Sequence, residues 1–269
     1  EMVLHWQRVG FVHGVMNTDN MSILGLTIDY GPYGWLEDYD PDWTPNTTDA
    51  EGRRYRFRNQ PDIALWNLVQ LGNALYPLIE DIASMEQVLN SYSQQFDLQF
   101  PIIQQQKLGL EAEYESAFQD ELTTLLTASE TDMTIFYRNL ANVVKTDTPD
   151  EALAKVTLAF YQPDKIVTTL QTSWLNWFEL YLTKLKEETL PDAERKAAMN
   201  LVNPKYVLRN YMAQLAIEAA EKGDNSLINE LYTVLKKPYD EQSEYEKWFA
   251  KRPDWARHKV GCSMLSCSS

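Results

Sequence analysis

The chain has 269 residues, 44% of them hydrophobic, with 39 acidic and 24 basic side chains and a formal net charge of −15. That length and apolar fraction can bury one large core or two modest ones, while the negative charge opposes the counterion-release attraction of nucleic acid, which is set aside as a partner. No stretch reaches the roughly 20 apolar residues of a membrane span, and two cysteines within the last eight residues cannot staple a domain of this size.

Glu1 is no natural start and no signal or transit peptide is visible, so the true N-terminus, with any targeting information, is expected upstream. Six of the 10 glycines, from Gly10 to Gly52, fall in the first fifth of the chain, which concentrates loops and turns there. Residues 11–35 read as a polar loop followed by two short apolar runs. Met21–Leu24 and Leu26–Ile28 are expected as the strands of a tight hairpin turning near Gly25, ending in the acidic triplet Asp29-Tyr30-Gly31.

After Asn59 the pattern becomes helical. Gln60-Pro61 supplies a start with proline in the first turn, and Ile63, Trp66, Leu68, Val69 and Leu71 follow near a 3.6 period. Thr148-Pro149-Asp150-Glu151 reads as a capping box, and Asn203-Pro204 as a start ahead of Tyr206, Val207, Leu208 and Tyr211. Gly223 and Pro238 are expected to end the helices carrying Ala216–Ala220 and Leu227, Leu231 and Leu235. Trp174, Trp177, Phe178 and Tyr181 share a helical spacing that marks core. Arg209 suits a buried carboxylate or a loop end, and the acidic Asp240–Glu246 reads as a solvated helix face.

The chemistry concentrates in the first 31 residues. Kinase-like folds carry His-x-Asp-x4-Asn in the catalytic loop, and a following Asp-Phe-Gly brings a second oxygen ligand to magnesium. Here His13 and Asn20 keep the seven-residue offset, and Asp29-Tyr30-Gly31 comes nine positions after Asn20. The slot for the kinase base holds Val15, which cannot accept a proton, so an ordinary kinase mechanism is in doubt; Asp19, beside Asn20, still offers a carboxylate. An isolated Asn-Thr-Asp-Asn is ordinarily a turn, and His13 is expected to support backbone geometry rather than transfer protons.

The string His13-Gly-Val-Met-Asn-Thr-Asp-Asn-Met-Ser22, then Thr27-Ile-Asp-Tyr-Gly-Pro-Tyr-Gly34, resembles the signature of the SelO family of protein adenylyltransferases. The likeness continues through Asn59-Gln60-Pro61, Trp66-Asn67-Leu68, Asn203-Pro204, Leu208-Arg209-Asn210-Tyr211 and the closing Cys267-Ser268-Ser269. The resemblance implies a mainly α fold: a kinase-like C-lobe with a short β-hairpin at the metal site and additional C-terminal helices, in a fragment lacking the N-lobe. Residues 1–58 would be the catalytic, metal-binding and activation-loop-like segment, 59–257 the helical lobe and its extension, and 258–269 a redox tail.

It implies ATP and Mg2+ as cofactors and protein hydroxyls as acceptors of AMP. Carried over by position, Asp19 matches the proton acceptor, Asn20 a magnesium ligand, and Asp29 a residue that binds magnesium and ATP. Cys267 matches the family's C-terminal redox residue. Pro45 stands in the stretch where some bacterial relatives have a partner cysteine, so that disulfide is not expected. The Cys262-x4-Cys267 pair also admits a zinc hook or an accident of the tail, with only His258 nearby as a further ligand. A eukaryotic relative would be mitochondrial, otherwise cytoplasmic. The fragment alone is expected to be inactive. A kinase-like phosphotransferase and a non-catalytic helical interaction module are the rival readings.

Overall fold

Helices form where the apolar period predicts them, and their ends follow the local chemistry. The computed structural model describes residues 1–262 and Leu265. Gln60–Ile79 starts with Pro61 in its first turn, Pro149–Val156 carries the reciprocal Thr148–Glu151 capping box, and Asn210–Ala220 and Ser226–Leu235 stop before Gly223 and Pro238. The chain is mainly helical, with a single sheet among the described residues, made of Phe11–Val12 and Gly34–Trp35.

Two units divide the chain. The first contains Glu1–Gly34, Pro41–Gln104 and Leu265; the second contains Trp35–Asp40 and the residues from Gln105 to Cys262. In the first, Val3, Leu4 and Trp6 of the helix Met2–Val9 are buried, as are Phe11, Val12, Met16, Phe57, Ile63 and Ala64. Gln7 Nε2 donates to the Phe57 carbonyl at 2.8 Å, so a buried amide finds a backbone partner and avoids the desolvation cost of an unmade bond.

In the second unit, Trp174, Trp177, Phe178 and Tyr181 lie on the helix Gln171–Glu187 and are fully buried. Their transfer from water contributes about 2 to 3 kcal/mol each. The polar ends are satisfied: Trp174 Nε1 donates to Ser129 Oγ at 2.8 Å and the Tyr181 hydroxyl donates to the Leu108 carbonyl at 2.7 Å. The aromatic group is therefore core.

Arg209 does hold a buried carboxylate. Its Nη1 lies 2.7 Å from Asp132 Oδ2 and its Nη2 donates to Oδ1 at 2.9 Å. Asp132 Oδ1 also accepts from Ile135 N at 3.0 Å, capping the helix Met133–Leu140. Arg209→Met is expected to lower folding stability by about 3 to 5 kcal/mol, because it leaves the carboxylate buried and unpaired. Chemical denaturation measures this directly, and a loss below about 1 kcal/mol would contradict the pairing.

Three local expectations are corrected. The Asn203-Pro204 start does not nucleate a helix: Asn203 Nδ2 donates to the Lys107 carbonyl, Lys205 N and Tyr206 N both donate to the Pro238 carbonyl, and the helix begins only at Asn210. These tertiary bonds outweigh the local start signal. Asp240–Glu246 is solvated as expected, with Asp240, Glu241, Glu244 and Glu246 exposed, but it is a turn leading into the 3-10 segment Ser243–Trp248 and not the face of an α-helix. There Glu241 meets Arg138 and Lys205, each at 2.7 Å, and Glu246 meets Lys205 at 2.6 Å. Finally, Met21–Leu24 and Leu26–Ile28 form no strand ladder. The turn is present, with Gly25 N donating to the Ser22 carbonyl and Gly25 at φ 68°, but Ile23, Leu24 and Leu26 stay exposed. A two-stranded ribbon with no apolar layer to cover is marginal in water.

Candidate active site

The loop from Phe11 to Asn20 passes from strand to a 3-10 turn, Thr18–Asn20, which leaves Asp19 exposed and buries Asn20. The Asn20 amide Nδ2 donates to Asp29 Oδ2, so the two residues nine positions apart are in direct contact. Asn20 Oδ1 is buried and makes no hydrogen bond. An unpaired buried acceptor beside a carboxylate is a costly arrangement that a cation would relieve.

Asp29 sits at φ 56°, in the left-handed region where aspartate is better tolerated than most residues, and its own carbonyl accepts from Gly31 N at 2.8 Å. Gly14, at φ 80°, is a position that only glycine can hold. An added Cβ would stand 2.1 Å from the Pro32 carbonyl oxygen, so the close approach of the loop to the residues after Asp-Tyr-Gly requires the missing side chain.

His13 is buried and acts within the backbone, as the sequence suggests. Val15 N donates to His13 Nδ1 at 3.4 Å, which leaves Nε2–H to donate to the Ile28 carbonyl at 2.8 Å, one residue before Asp29. Burial pushes the imidazole below its ordinary 6.5, against the raising effects of the Ile28 carbonyl and Asp29. A depressed histidine contributes stability that is fully present above pH 6.5 and is lost as pH falls through the folded-state value. The thermal midpoint of the wild type is therefore expected to drop more between pH 7.5 and 5.5 than that of His13→Gln, and equal pH slopes would refute the assignment.

The sequence marks Gln60 as a helix start and Asn67 as part of the family string, and assigns neither to the site. Both are buried against this loop: Gln60 Nε2 donates to the Phe11 carbonyl, Gln60 Oε1 accepts from His13 N, and Asn67 Nδ2 donates to the Met16 carbonyl. Asn46 Nδ2 donates to the Gly14 carbonyl at 3.1 Å. A glutamine just before a helix-initiating proline is the available signal, since it faces whatever packs on the first turn. Beside the loop lies an open, largely apolar cavity of about 940 Å3, with Trp6, Thr18, Met21, Leu24 and Leu71 among its lining.

Asn20 and Asp29 are thus in contact in the chain's first unit, and Asp19 is exposed one residue before Asn20. Among the described residues no three His, Cys, Asp or Glu side chains converge as a self-contained metal cage. Cys267 lies outside the described residues; Cys262 is buried, and burial pushes its thiol up.

The family model described as protein adenylyltransferase SelO matches residues 1–236. Among curated proteins, the chain is 60% identical over 271 residues to a protein nucleotidyltransferase YdiU of Flavobacterium johnsoniae, covering all of this chain and 52% of that protein. Proteins of the same description from Rhodopirellula baltica and Aromatoleum aromaticum are 54% and 51% identical, again over the whole chain and 52% and 51% of their own lengths. The chain spans about half the length of the curated relatives it matches.

Proposed function

Because the chain belongs to the SelO family, we propose that it forms the metal-binding and acceptor-activating half of a protein adenylyltransferase, a kinase-like C-lobe that works on ATP and protein hydroxyls. The observation that carries this is the contact between the Asn20 amide and the Asp29 carboxylate, with Asn20 Oδ1 buried and unpaired. One carboxylate and one amide oxygen fit Mg2+, which takes few protein ligands and completes its shell with water and phosphate oxygens. Bound there, magnesium would neutralise charge on the α-phosphate and the departing pyrophosphate.

In this reading the acceptor hydroxyl oxygen forms a bond to the α-phosphorus, the bond from that phosphorus to the bridging oxygen of the β-phosphate breaks, and pyrophosphate leaves. Asp19, exposed at the rim of the turn, orients the hydroxyl and takes its proton. Asn20 and Asp29 would hold the metal, and Asp29 would also serve the nucleotide. His13 keeps the Asp29 turn in place through the Ile28 carbonyl. Val15 supplies no base at the position where a kinase has one, which favours AMP transfer over phosphoryl transfer.

Incubating the full-length protein with ATP labelled separately on the α and γ phosphates tests the reaction class. Label from the α position on protein is expected; label from the γ position alone would overturn the assignment in favour of a kinase. Cys267 is proposed as a regulatory thiol. Cys267→Ser is expected to spare transfer under reductant and to remove any response to oxidant, and an equal oxidant response in both proteins would refute that role.

A further inference from the structure

Three buried carboxamide side chains grip the loop that carries His13. Gln60 is fully buried, with its Nε2 donating to the Phe11 carbonyl at 2.8 Å and its Oε1 accepting from His13 N at 2.9 Å. In extended chain the carbonyl of one residue and the N–H of the residue two positions on lie on the same side, so one carboxamide acts as a rung of a β-ladder. Asn67, two helical turns later on the same face, donates to the Met16 carbonyl at 2.9 Å, and Asn46 donates to the Gly14 carbonyl at 3.1 Å.

The contacts continue from this grip to the metal-binding pair. The His13 backbone is held by Gln60, its ring Nε2 donates to the Ile28 carbonyl, and the next residue, Asp29, receives the Asn20 amide. One side chain at the start of the helix Gln60–Ile79 therefore reaches Asp29 through one peptide group and one imidazole.

We propose that Gln60, supported by Asn67, is the positioning residue of the Asp19, Asn20 and Asp29 site: it fixes the backbone of the loop so that the Asn20 and Asp29 oxygens face a single cation. The inference rests on the AMP-transfer reading above. Only a group with one donor and one acceptor in a planar fork can make both bonds. A carboxylate accepts but cannot donate, and it repels the Phe11 carbonyl. A methionine does neither. A neutral carboxylic acid makes both.

That chemistry defines the experiment. In the full-length protein, Gln60→Glu and Gln60→Met are compared with wild type from pH 8 to 5.5 by turnover with α-labelled ATP, by thermal unfolding, and by Mn2+ affinity from electron paramagnetic resonance, with Asp29→Ala as the control that abolishes the site. Dividing each value by that of wild type at the same pH cancels the pH effects the proteins share, including those of His13, Tyr30 and Tyr33, whose rings pack on Phe11.

At pH 8 both variants are expected to lose about 10- to 100-fold in turnover and in Mn2+ affinity. As pH falls, Gln60→Glu is expected to recover at least about half of that loss on a logarithmic scale, because the introduced carboxyl protonates and regains its donor; Gln60→Met recovers nothing. Unchanged Mn2+ affinity in both variants, or losses that only track the unfolded fraction with no recovery, overturns the inference. If wild type transfers no AMP while Mn2+ affinity still follows this pattern, the positioning role stands and the AMP-transfer reading fails. Should Gln60→Met not fold, Asn67→Ser carries the comparison: weakened Mn2+ binding in a folded protein supports the role, and unchanged binding overturns it.

Discussion

Asp29→Ala in the full-length protein is expected to lower turnover by about a thousandfold or more. Losing the carboxylate beside Asn20 removes several kcal/mol of stabilisation from the charge that develops on the phosphates, and each 1.36 kcal/mol is a factor of ten in rate. The same change also removes the acceptor of the Asn20 amide and places alanine at φ 56°, so some folding stability goes with it. Asp29→Asn separates the two effects: it keeps the side-chain shape while deleting the charge, and should fold like wild type yet remain inactive. Near-normal turnover of either variant would remove Asp29 from the reaction.

Asp19→Ala is expected to act differently. Asp19 is exposed at the turn, so its loss should change stability by less than about 0.5 kcal/mol. Single-turnover transfer should fall by about 10²- to 10⁴-fold with nucleotide affinity unchanged, since a general base acts on the hydroxyl and not on resting ATP. A large loss of ATP affinity with normal single-turnover transfer would exchange the roles of Asp19 and Asp29.

The helices were legible because their ends are written in residues that act locally. Thr148 and Glu151 can find each other within one turn, and Pro61 suits a first turn whatever lies around it. The start expected at Asn203-Pro204 failed for the opposite reason: the Asn203 side chain is claimed by the Lys107 carbonyl and the backbone after it by the Pro238 carbonyl, residues that no local window contains. The pairing of Asn20 with Asp29 could be anticipated from spacing within a known loop pattern. The support beneath it could not, since nothing in the order of residues says that Gln60 Oε1 meets His13 N across 47 positions. Likewise the apolar runs around Gly25 look like strands by composition, and only the absence of anything covering Ile23 and Leu24 explains why no ladder forms.

The bridge between Asn46 and Leu265 bears on how the chain is made. Leu265 N donates to the Pro45 carbonyl, Thr47 N donates to the Leu265 carbonyl, and Asn46 in turn holds Gly14. Thr47 and Leu265 are 218 positions apart, and in the second unit Asp38 waits across 214 positions for Arg252. At about 5 to 20 residues per second, a ribosome separates the members of each pair by roughly 10 to 45 s. The loop that Asn46 holds at Gly14 is therefore translated well before the residue that secures it. Nascent chains stalled before Arg252 should accordingly be cut by protease within residues 35–50, and chains extended past Leu265 and clear of the ribosome should resist.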